Sequence, residues 1–124
     1  MMNKVTDAEY EVMKAVWELG GVATSREIFD KVQEKKSWSK TTVKTLISRL
    51  VSKGVLKSNK AVGSVYKYEA SISEDEYKNQ ESENLIGKLF NGSINEMLLN
   101  FTKSKKLSKQ ELEELIKLVG EEEE

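Results

Sequence analysis

The chain has 124 residues and contains neither cysteine nor histidine. Without cysteine it has no disulfide, no thiolate metal site and no cysteine nucleophile. Without histidine it lacks the most common metal ligand and general base, so only carboxylates remain for acid–base chemistry. We therefore expect no transition-metal site, no cofactor and no enzymatic activity.

Long uncharged apolar runs are also absent from the sequence. Their absence argues against a membrane span and a signal peptide, so the predicted location is the cytoplasm. Apolar residues make up 38% of the chain, which is enough for a small core. The length fits one ordinary domain or two very small ones.

The formal net charge of −1 conceals an uneven distribution along the chain. Residues 1–70 hold 13 Lys and Arg against 8 Asp and Glu, whereas residues 71–124 hold 7 against 13. Residues 31–67 carry 10 cations and one acid, Glu34. Such a segment predicts a basic surface that attracts polyanions, although a solvated lysine-rich face would have the same composition.

Helix starts are marked by Ser or Thr followed three residues later by Glu, the capping-box pattern, ahead of apolar residues at helical spacing. The pairs are Thr6 with Glu9, Thr24 with Glu27, Ser73 with Glu76, Ser93 with Glu96, and Ser108 with Glu111. A further start, Ser39, has Thr42 in place of the Glu. The pattern predicts helices over about 7–19, 25–35 and 39–53, and further helices after residue 73.

The pattern changes in VLKSNKAVGSVYKYEA, residues 55–70, where β-branched and aromatic residues surround an Asn and a Gly. It predicts a hairpin with strands at about 55–59 and 64–69. Three short helices followed by a hairpin are typical of a winged helix-turn-helix. The predicted fold is mainly α with a small β-hairpin: a winged helix domain over 1–71 and a helical dimerisation region over 72–124. We expect its acidic tail, EEEE, to be disordered.

The third predicted helix lies in WSKTTVKTLISRLVSKGVL, residues 38–56, which contains no acid. A helix that enters the DNA major groove keeps acids away from phosphates and carries short side chains that allow close approach. The off-stripe Thr, Ser, Lys and Arg residues meet both needs, although they would also suit a solvated face. The candidate DNA-binding residues are Ser39, Lys40, Thr41, Thr42, Lys44, Thr45 and Arg49, with Lys60 and Lys67 on the hairpin.

The C-terminal part has apolar stripes on three successive helical segments. About 50 residues are too few to bury three such stripes on themselves, so we expect the same region of a second chain to cover them. The expected dimer interface comprises Leu85, Leu89, Phe90, Met97, Leu98, Phe101, Leu112, Leu115 and Ile116.

These segments resemble the penicillinase/methicillin repressor family (BlaI/MecI/CopY). WSKTTVKTLISRLVSKGVL resembles its recognition-helix segment, and LLNFTKSKKLSKQELEELIKLV resembles its dimerisation region. The resemblance implies a homodimeric repressor, each winged helix binding one half of a palindromic operator in double-stranded DNA. β-Lactam repressors usually have Lys where this chain has Thr41 and Arg where it has Lys44, so individual base contacts do not carry over directly.

Two branches of that family differ in how repression is relieved. The copper-responsive branch carries a C-terminal cysteine motif, which this chain lacks. In the β-lactam branch, a sensor-linked protease cuts the repressor at an Asn–Phe bond, and Asn100-Phe101 stands at the matching place. Phe101 also continues the apolar stripe of its helix, and the two roles are compatible.

Three alternatives stay open at the level of sequence. The winged helix could be a protein-interaction module, which the acidic C-terminal half would suit. The chain could also be a repressor of the same family that controls an unrelated operon. Direct binding of a small effector is not excluded, although no pocket signature indicates it.

Overall fold

A computed structural model describes residues 4–60 and 65–122, except for the side chains of residues 60, 116 and 118–122. The chain divides into two compact units, Met1–Tyr77 and Lys78–Glu124. The elements in chain order are α1 (Asp7–Glu18), β1 (Val22–Thr24), α2 (Ser25–Gln33), α3 (Lys40–Ser52), β2 (Leu56–Lys60), β3 (Tyr66–Ala70), α4 (Glu74–Leu89), α5 (Ile94–Lys103) and α6 (Lys109–Glu122). None of the described helices is long and apolar enough to cross a lipid bilayer.

Hydrogen bonds at the helix caps confirm the predicted helix starts. Complete capping boxes, in which the cap hydroxyl and the Glu carboxylate each accept a backbone N–H, are formed by Thr6 with Glu9, Thr24 with Glu27, and Ser108 with Glu111. The hydroxyls of Ser39, Ser73 and Ser93 each accept the backbone N–H three residues later. Local sequence therefore determines where these helices begin, because each cap satisfies an N–H that lacks a partner within the helix.

The sheet has three antiparallel strands in the order β1-β3-β2, one strand more than the predicted hairpin. β2 pairs with β3 from Leu56 opposite Ala70 to Lys60 opposite Tyr66, which confirms the hairpin with strand positions shifted by about one residue. The predicted strand position 64 and the hairpin loop lie outside the described residues. β1 was missed because its three residues, between two helices, show no alternation and gain their strand form by pairing with β3.

The core of the first unit lies between α1, α2, α3 and the sheet. Its most deeply buried side chains include Val12, Met13, Val16, Ile28, Ile47, Leu50, Val55 and Leu56. The indole N–H of Trp17 donates to the Ile72 carbonyl at 3.0 Å, and the rings of Tyr10 and Tyr77 pack beside it. Ile72 and Tyr77 are both buried, so this unit extends past the predicted boundary at 71/72.

One ion pair lies against this core. The Lys53 ammonium is 2.5 Å from Oε1 of Glu9, whose side chain is 1% exposed, and it also donates to the Lys4 carbonyl at 2.8 Å. Burial alone would raise the pKa of the Glu9 carboxyl. Hydrogen bonds from Lys53 and from the Thr6 N–H, together with the Lys53 charge, hold that pKa below its usual value. Lys53 thereby joins the end of α3 to α1 and to the N-terminal segment.

The second unit contains α5, α6 and most of α4. None of its described side chains is fully buried. The residues NGS at 91–93 separate α4 from α5 as predicted, with positive φ angles at Asn91 and Gly92. The prediction of a disordered acidic tail was wrong for its first half, because Glu121 and Glu122 are the last residues of α6. Residues 123–124 lie outside the described part.

Replacing Lys53 with Met should lower the free energy of unfolding at pH 7 by about 3 kcal/mol, because it leaves a buried carboxylate without its cation. The lowered pKa of Glu9 means that the pair stabilises the wild type above about pH 4 and that this contribution is lost as the pH falls. The wild-type advantage over Lys53→Met should therefore shrink in acid. Urea unfolding at pH 7 and pH 3.5, followed by circular dichroism, measures both effects.

Lys35→Met is the matched control, because Lys35 is exposed and its ammonium is 3.9 Å from Glu18. We expect it to change the free energy of unfolding by less than about 0.5 kcal/mol. Equal losses in the two variants, or a Lys53→Met loss that does not depend on pH, would contradict a stabilising role for the buried pair.

Candidate nucleic-acid interface

The two faces of α3 differ completely in burial. Val43, Leu46, Ile47 and Leu50 are buried, at the spacing of one helical stripe. The side chains on the opposite face are all exposed: Thr41, Thr42, Lys44, Thr45, Ser48 and Arg49. Packing of the stripe thus fixes the rotation of α3 about its axis and directs short hydroxyls and cations outward.

The beginning of α3 is held by a local hydrogen-bond pair. The Ser39 hydroxyl accepts the Thr42 N–H at 3.1 Å and donates to the Thr42 hydroxyl at 3.0 Å. The Lys40 ammonium lies 5.7 Å from the centre of the Phe29 ring, a cation–π contact between α3 and α2. Ser39 and Thr42 therefore have a structural role at the helix start, whatever else they bind.

Two surface grooves flank the exposed face of α3. We call the first the α3 groove; it is lined by Thr41, Lys44, Thr45, Ser48, Arg49, Ser52 and Lys53. We call the second the hairpin groove; it is lined by Thr24, Ser25, Arg26, Lys44, Ile47, Ser48, Val65, Tyr66 and Tyr68. Lys44 and Ser48 belong to both, so the two grooves share a wall. Among the described residues, neither lining contains an acid.

Of the two cations predicted on the hairpin, Lys60 and Lys67, only Lys67 has a described side chain. Lys67 is exposed on β3, opposite Thr24 of β1. Its charge helps to lower the pKa of Glu27, after the larger effects of hydrogen bonds from the Thr24 backbone and side chain. Lys60 pairs with Tyr66 in the strand register, but its side chain lies outside the described part. Lys67 is outside both groove linings.

Sequence reasoning missed Arg26 and Tyr66, which the fold brings next to α3. Arg26 stands in the first turn of α2, where a cation opposes the helix dipole. Because this position is unfavourable for helix stability, it could have marked Arg26 as a candidate binding residue. Tyr66 and Tyr68 lie two residues apart on β3 and therefore on the same face of the strand. No sequence signal distinguished the exposed side chain of Tyr66 from the half-buried one of Tyr68.

Most cations of this surface are available to a ligand; the exception is Lys53 of the α3 groove, which is paired with Glu9. The ion pairs among the described residues link Lys14 to Glu11, Lys31 to Glu18 and Glu34, Lys35 to Glu18, and Lys53 to Glu9. They do not involve Arg26, Lys44 or Arg49. An acid-free surface of hydroxyls and free cations can bind phosphates by hydrogen bonds and charge, and offers no nucleophile activated by a base.

The expected interface and cleavage residues lie in the second unit, on its helices except for Phe90, which directly follows α4. Leu85, Leu89 and Leu115 are exposed, Leu89 by 60%, and Phe90, Met97, Leu98, Phe101 and Leu112 are half-buried. The side chain of Ile116 lies outside the described part. Asn100 is exposed and adjoins Phe101 within α5. These dimerisation and cleavage roles stay predictions.

Comparison with known proteins identifies related repressors. The chain matches the sequence model of a family described as penicillinase repressor over residues 5–121. It is 34% identical to the penicillinase repressor of Bacillus licheniformis over 118 residues, which are 95% of this chain and 91% of the relative. It is 35% identical to the methicillin resistance regulatory protein MecI of Staphylococcus aureus (strain N315) over 112 residues, 90% of this chain and 89% of the relative.

A similar solved structure is that of the monomeric form of BlaI from Bacillus licheniformis, in complex with the blaP half-operator. Its TM-score is 0.53 and its sequence identity 32%, and the match covers 62% of this chain and 92% of that one. This similarity confirms the predicted winged helix fold.

Two substitutions at Ser39 separate the stability of α3 from its charge. Ser39→Ala removes the cap and should lower the free energy of unfolding by about 1 kcal/mol. Ser39→Asp keeps a cap of similar strength but adds an acid to the acid-free face, so it should fold as well as the wild type and bind heparin-agarose more weakly. Thermal unfolding and salt elution from the resin measure the two effects. Equal elution of the Asp variant and the wild type would mean that polyanions bind elsewhere.

Proposed function

The chain belongs to the penicillinase repressor family, and from that premise we propose that it is a homodimeric transcriptional repressor that binds a palindromic operator. The family is one of transcriptional repressors and not of enzymes. In this proposal α3 enters the major groove, and the hairpin formed by β2 and β3 lies along the neighbouring backbone. The observation that carries the proposal is the exposed, acid-free face of α3.

The geometry of α3 supports base reading by its short side chains. Thr41, Lys44, Thr45 and Arg49 line one groove, and all four are exposed. Hydroxyls can bond phosphates or base edges, and the Thr methyl can contact a thymine methyl. A Lys contacts guanine or neutralises a phosphate, and Arg49, further along the helix, suits the backbone.

Dimerisation through the second unit would give the repressor its affinity. Several leucines of α4, α5 and α6 are exposed, among them Leu89, Leu99 and Leu115. A second copy that covers these side chains would remove them from water. Two linked winged helices then bind two half-sites at a high effective concentration, so that tight binding depends on the dimer.

We further propose a β-lactam resistance operon as the target and cleavage at Asn100-Phe101 by a sensor-linked protease as the inducing step. The exposed Asn100 and the half-buried Phe101 lie within α5, so cutting there would divide the apolar face that joins the dimer. Loss of the dimer would release the operator without any change in the winged helix. A protease requires local unfolding of α5 to reach this bond, since the bond is helical.

The second candidate is a repressor of the same architecture with a different target. Thr41 and Lys44 depart from the Lys and Arg that β-lactam repressors usually have at these positions, and both residues line the α3 groove. A shorter side chain at Thr41 changes which base edge can be reached. A protein-interaction module is the remaining alternative, and salt-sensitive, sequence-selective DNA binding would discriminate against it.

Lys44→Ala should weaken binding to a selected DNA fragment by about 1–3 kcal/mol and relax selectivity at one base pair, if Lys44 reads a base. Fluorescence anisotropy on the selected fragment and on a scrambled duplex, each at several salt concentrations, measures this effect. Lys35→Ala, an exposed cation outside both grooves, is the control and should change neither affinity. An equal loss on both duplexes would assign Lys44 to a phosphate instead.

Asn100→Ala should leave repression intact, because Asn100 is exposed and its replacement spares the apolar face. It should prevent induction, because it removes the Asn side chain from the bond that we propose is cut. A reporter gene under the operator, measured with and without a β-lactam, tests this. Immunoblotting for the cleaved chain in the same cells shows whether the cut occurs. Normal induction and a normal fragment in the Asn100→Ala strain would exclude this bond as the cleavage site.

A further inference from the structure

The segment that leads from the sheet into α4 is hydrogen-bonded to the first unit at two successive residues. The Ser71 N–H donates to the Val55 carbonyl at 2.9 Å. The Ile72 carbonyl accepts the indole N–H of Trp17 at 3.0 Å. The side chains of Val55 and Ile72 are buried. The chain is therefore fixed in position immediately before α4 begins.

Three aromatic rings hold the first turn of α4. Tyr77, at the end of that turn, is only 8% exposed. Its ring lies 5.6 Å from that of Tyr10 and 5.6 Å from that of Trp17, centre to centre, and both partners belong to α1. Such ring pairs stabilise a structure beyond the apolar area that they bury. We call Tyr10, Trp17, Ile72 and Tyr77 the α4 clasp, and all four lie in the first unit.

The helix α4 joins the clasp covalently to the proposed dimerisation region. It is one helix of 16 residues, Glu74–Leu89, about 24 Å long. Its first four residues belong to the first unit, and the residues after Tyr77 belong to the second. It contains no proline, the most common cause of a sharp kink. A helix without a kink continues in the direction of its first turn, so the clasp limits the directions open to the rest of α4.

Small changes at the first turn of α4 would matter on the scale of DNA. A tilt of about 10° there would displace the other end of the helix by about 4 Å. One base pair adds about 3.4 Å along the DNA axis and about 34° of rotation. Because these displacements are similar, a firmly held α4 can discriminate between half-site spacings that differ by one base pair. A loose joint would let one dimer bind several spacings.

We propose that the α4 clasp sets the spacing between half-sites that the dimer accepts, with Trp17 and Tyr77 as positioning residues. The proposal rests on the homodimeric repressor proposed above and adds the residues that select its operator architecture. In this assignment α3 reads the bases of one half-site. The clasp decides which pairs of half-sites can be bound at once, and only simultaneous binding gives the affinity of two linked modules.

The test uses the full-length chain and four duplexes. They are the palindrome that the chain enriches from a random DNA library, the same palindrome with one or two base pairs inserted between its half-sites, and a single half-site. Tyr77→Ala removes the central ring of the clasp, and Tyr77→Phe keeps it. Trp17→Phe keeps a ring but removes the donor to Ile72. Val32→Ala, at a buried residue of α2 outside the clasp, is the control for loss of core stability.

We expect two inserted base pairs to weaken binding by the wild type by roughly a hundredfold, because the geometry then forbids simultaneous engagement. Tyr77→Ala should bind all three spacings within about threefold of one another, and the original palindrome several-fold more weakly than the wild type does, since a loose joint lowers the effective concentration. Trp17→Phe should change discrimination in the same direction by less. Tyr77→Phe and Val32→Ala should discriminate as the wild type does.

The single half-site and the thermal midpoints complete the measurement. Every variant should bind the single half-site with wild-type affinity, because the clasp is not part of the α3 face. Fluorescence anisotropy gives the affinities, and thermal unfolding shows that each variant is folded at the assay temperature. Trp17→Phe decides the question if Tyr77→Ala does not fold, since it retains an aromatic ring in the clasp.

Four results would overturn the assignment in distinguishable ways. If Tyr77→Ala and Trp17→Phe keep wild-type discrimination, the clasp does not set the spacing, although the proposed function stands. If both variants weaken the single half-site as much as the palindrome, they act within the winged helix. If Val32→Ala loses discrimination equally, general destabilisation is the cause. If the wild type binds the palindrome no better than the single half-site, the proposed dimer fails and the inference fails with it.

Discussion

Burial of the apolar stripe of α3 is the constraint on which both the core and the proposed binding surface depend. Val43, Leu46, Ile47 and Leu50 are buried together with side chains of α1, α2 and β2. A rotation of α3 by one residue would bury Lys44 or Thr45, at a cost that no partner in the core offsets. The hydrophobic core therefore determines which side chains face outward, and the outward face contains no acid.

The same constraint explains the supporting contacts around α3. The Ser39 cap fixes the residue at which the helix begins, and the Lys53–Glu9 pair fixes where its last turn lies against α1. The three-stranded sheet holds the start of α2 beside β3. These contacts bring cations from separate elements to one surface. The electrostatic attraction of DNA depends on the summed charge of such a cluster and not on any single residue.

Features that depend on residues close together in the sequence could be predicted, and features that depend on residues far apart in the sequence could not. Caps and apolar stripes depend on residues three or four positions apart, so the sequence alone indicated α3 and its exposed face. Strand β1 forms by pairing with β3, about 45 residues later. The Glu9–Lys53 pair joins residues 44 apart in sequence. Arg26 and Tyr66 likewise become neighbours of Lys44 only in the folded chain.

The proposed function requires that two copies of α3 read a symmetric DNA site. The most direct measurement is enrichment of bound fragments from a random DNA library by the full-length chain, followed by sequencing. For a homodimeric repressor we expect a palindrome whose half-sites are separated by one DNA turn, about 10 base pairs, or a multiple of it. A motif without two-fold symmetry would contradict the dimer, and no enriched motif at any salt concentration would contradict sequence reading by α3.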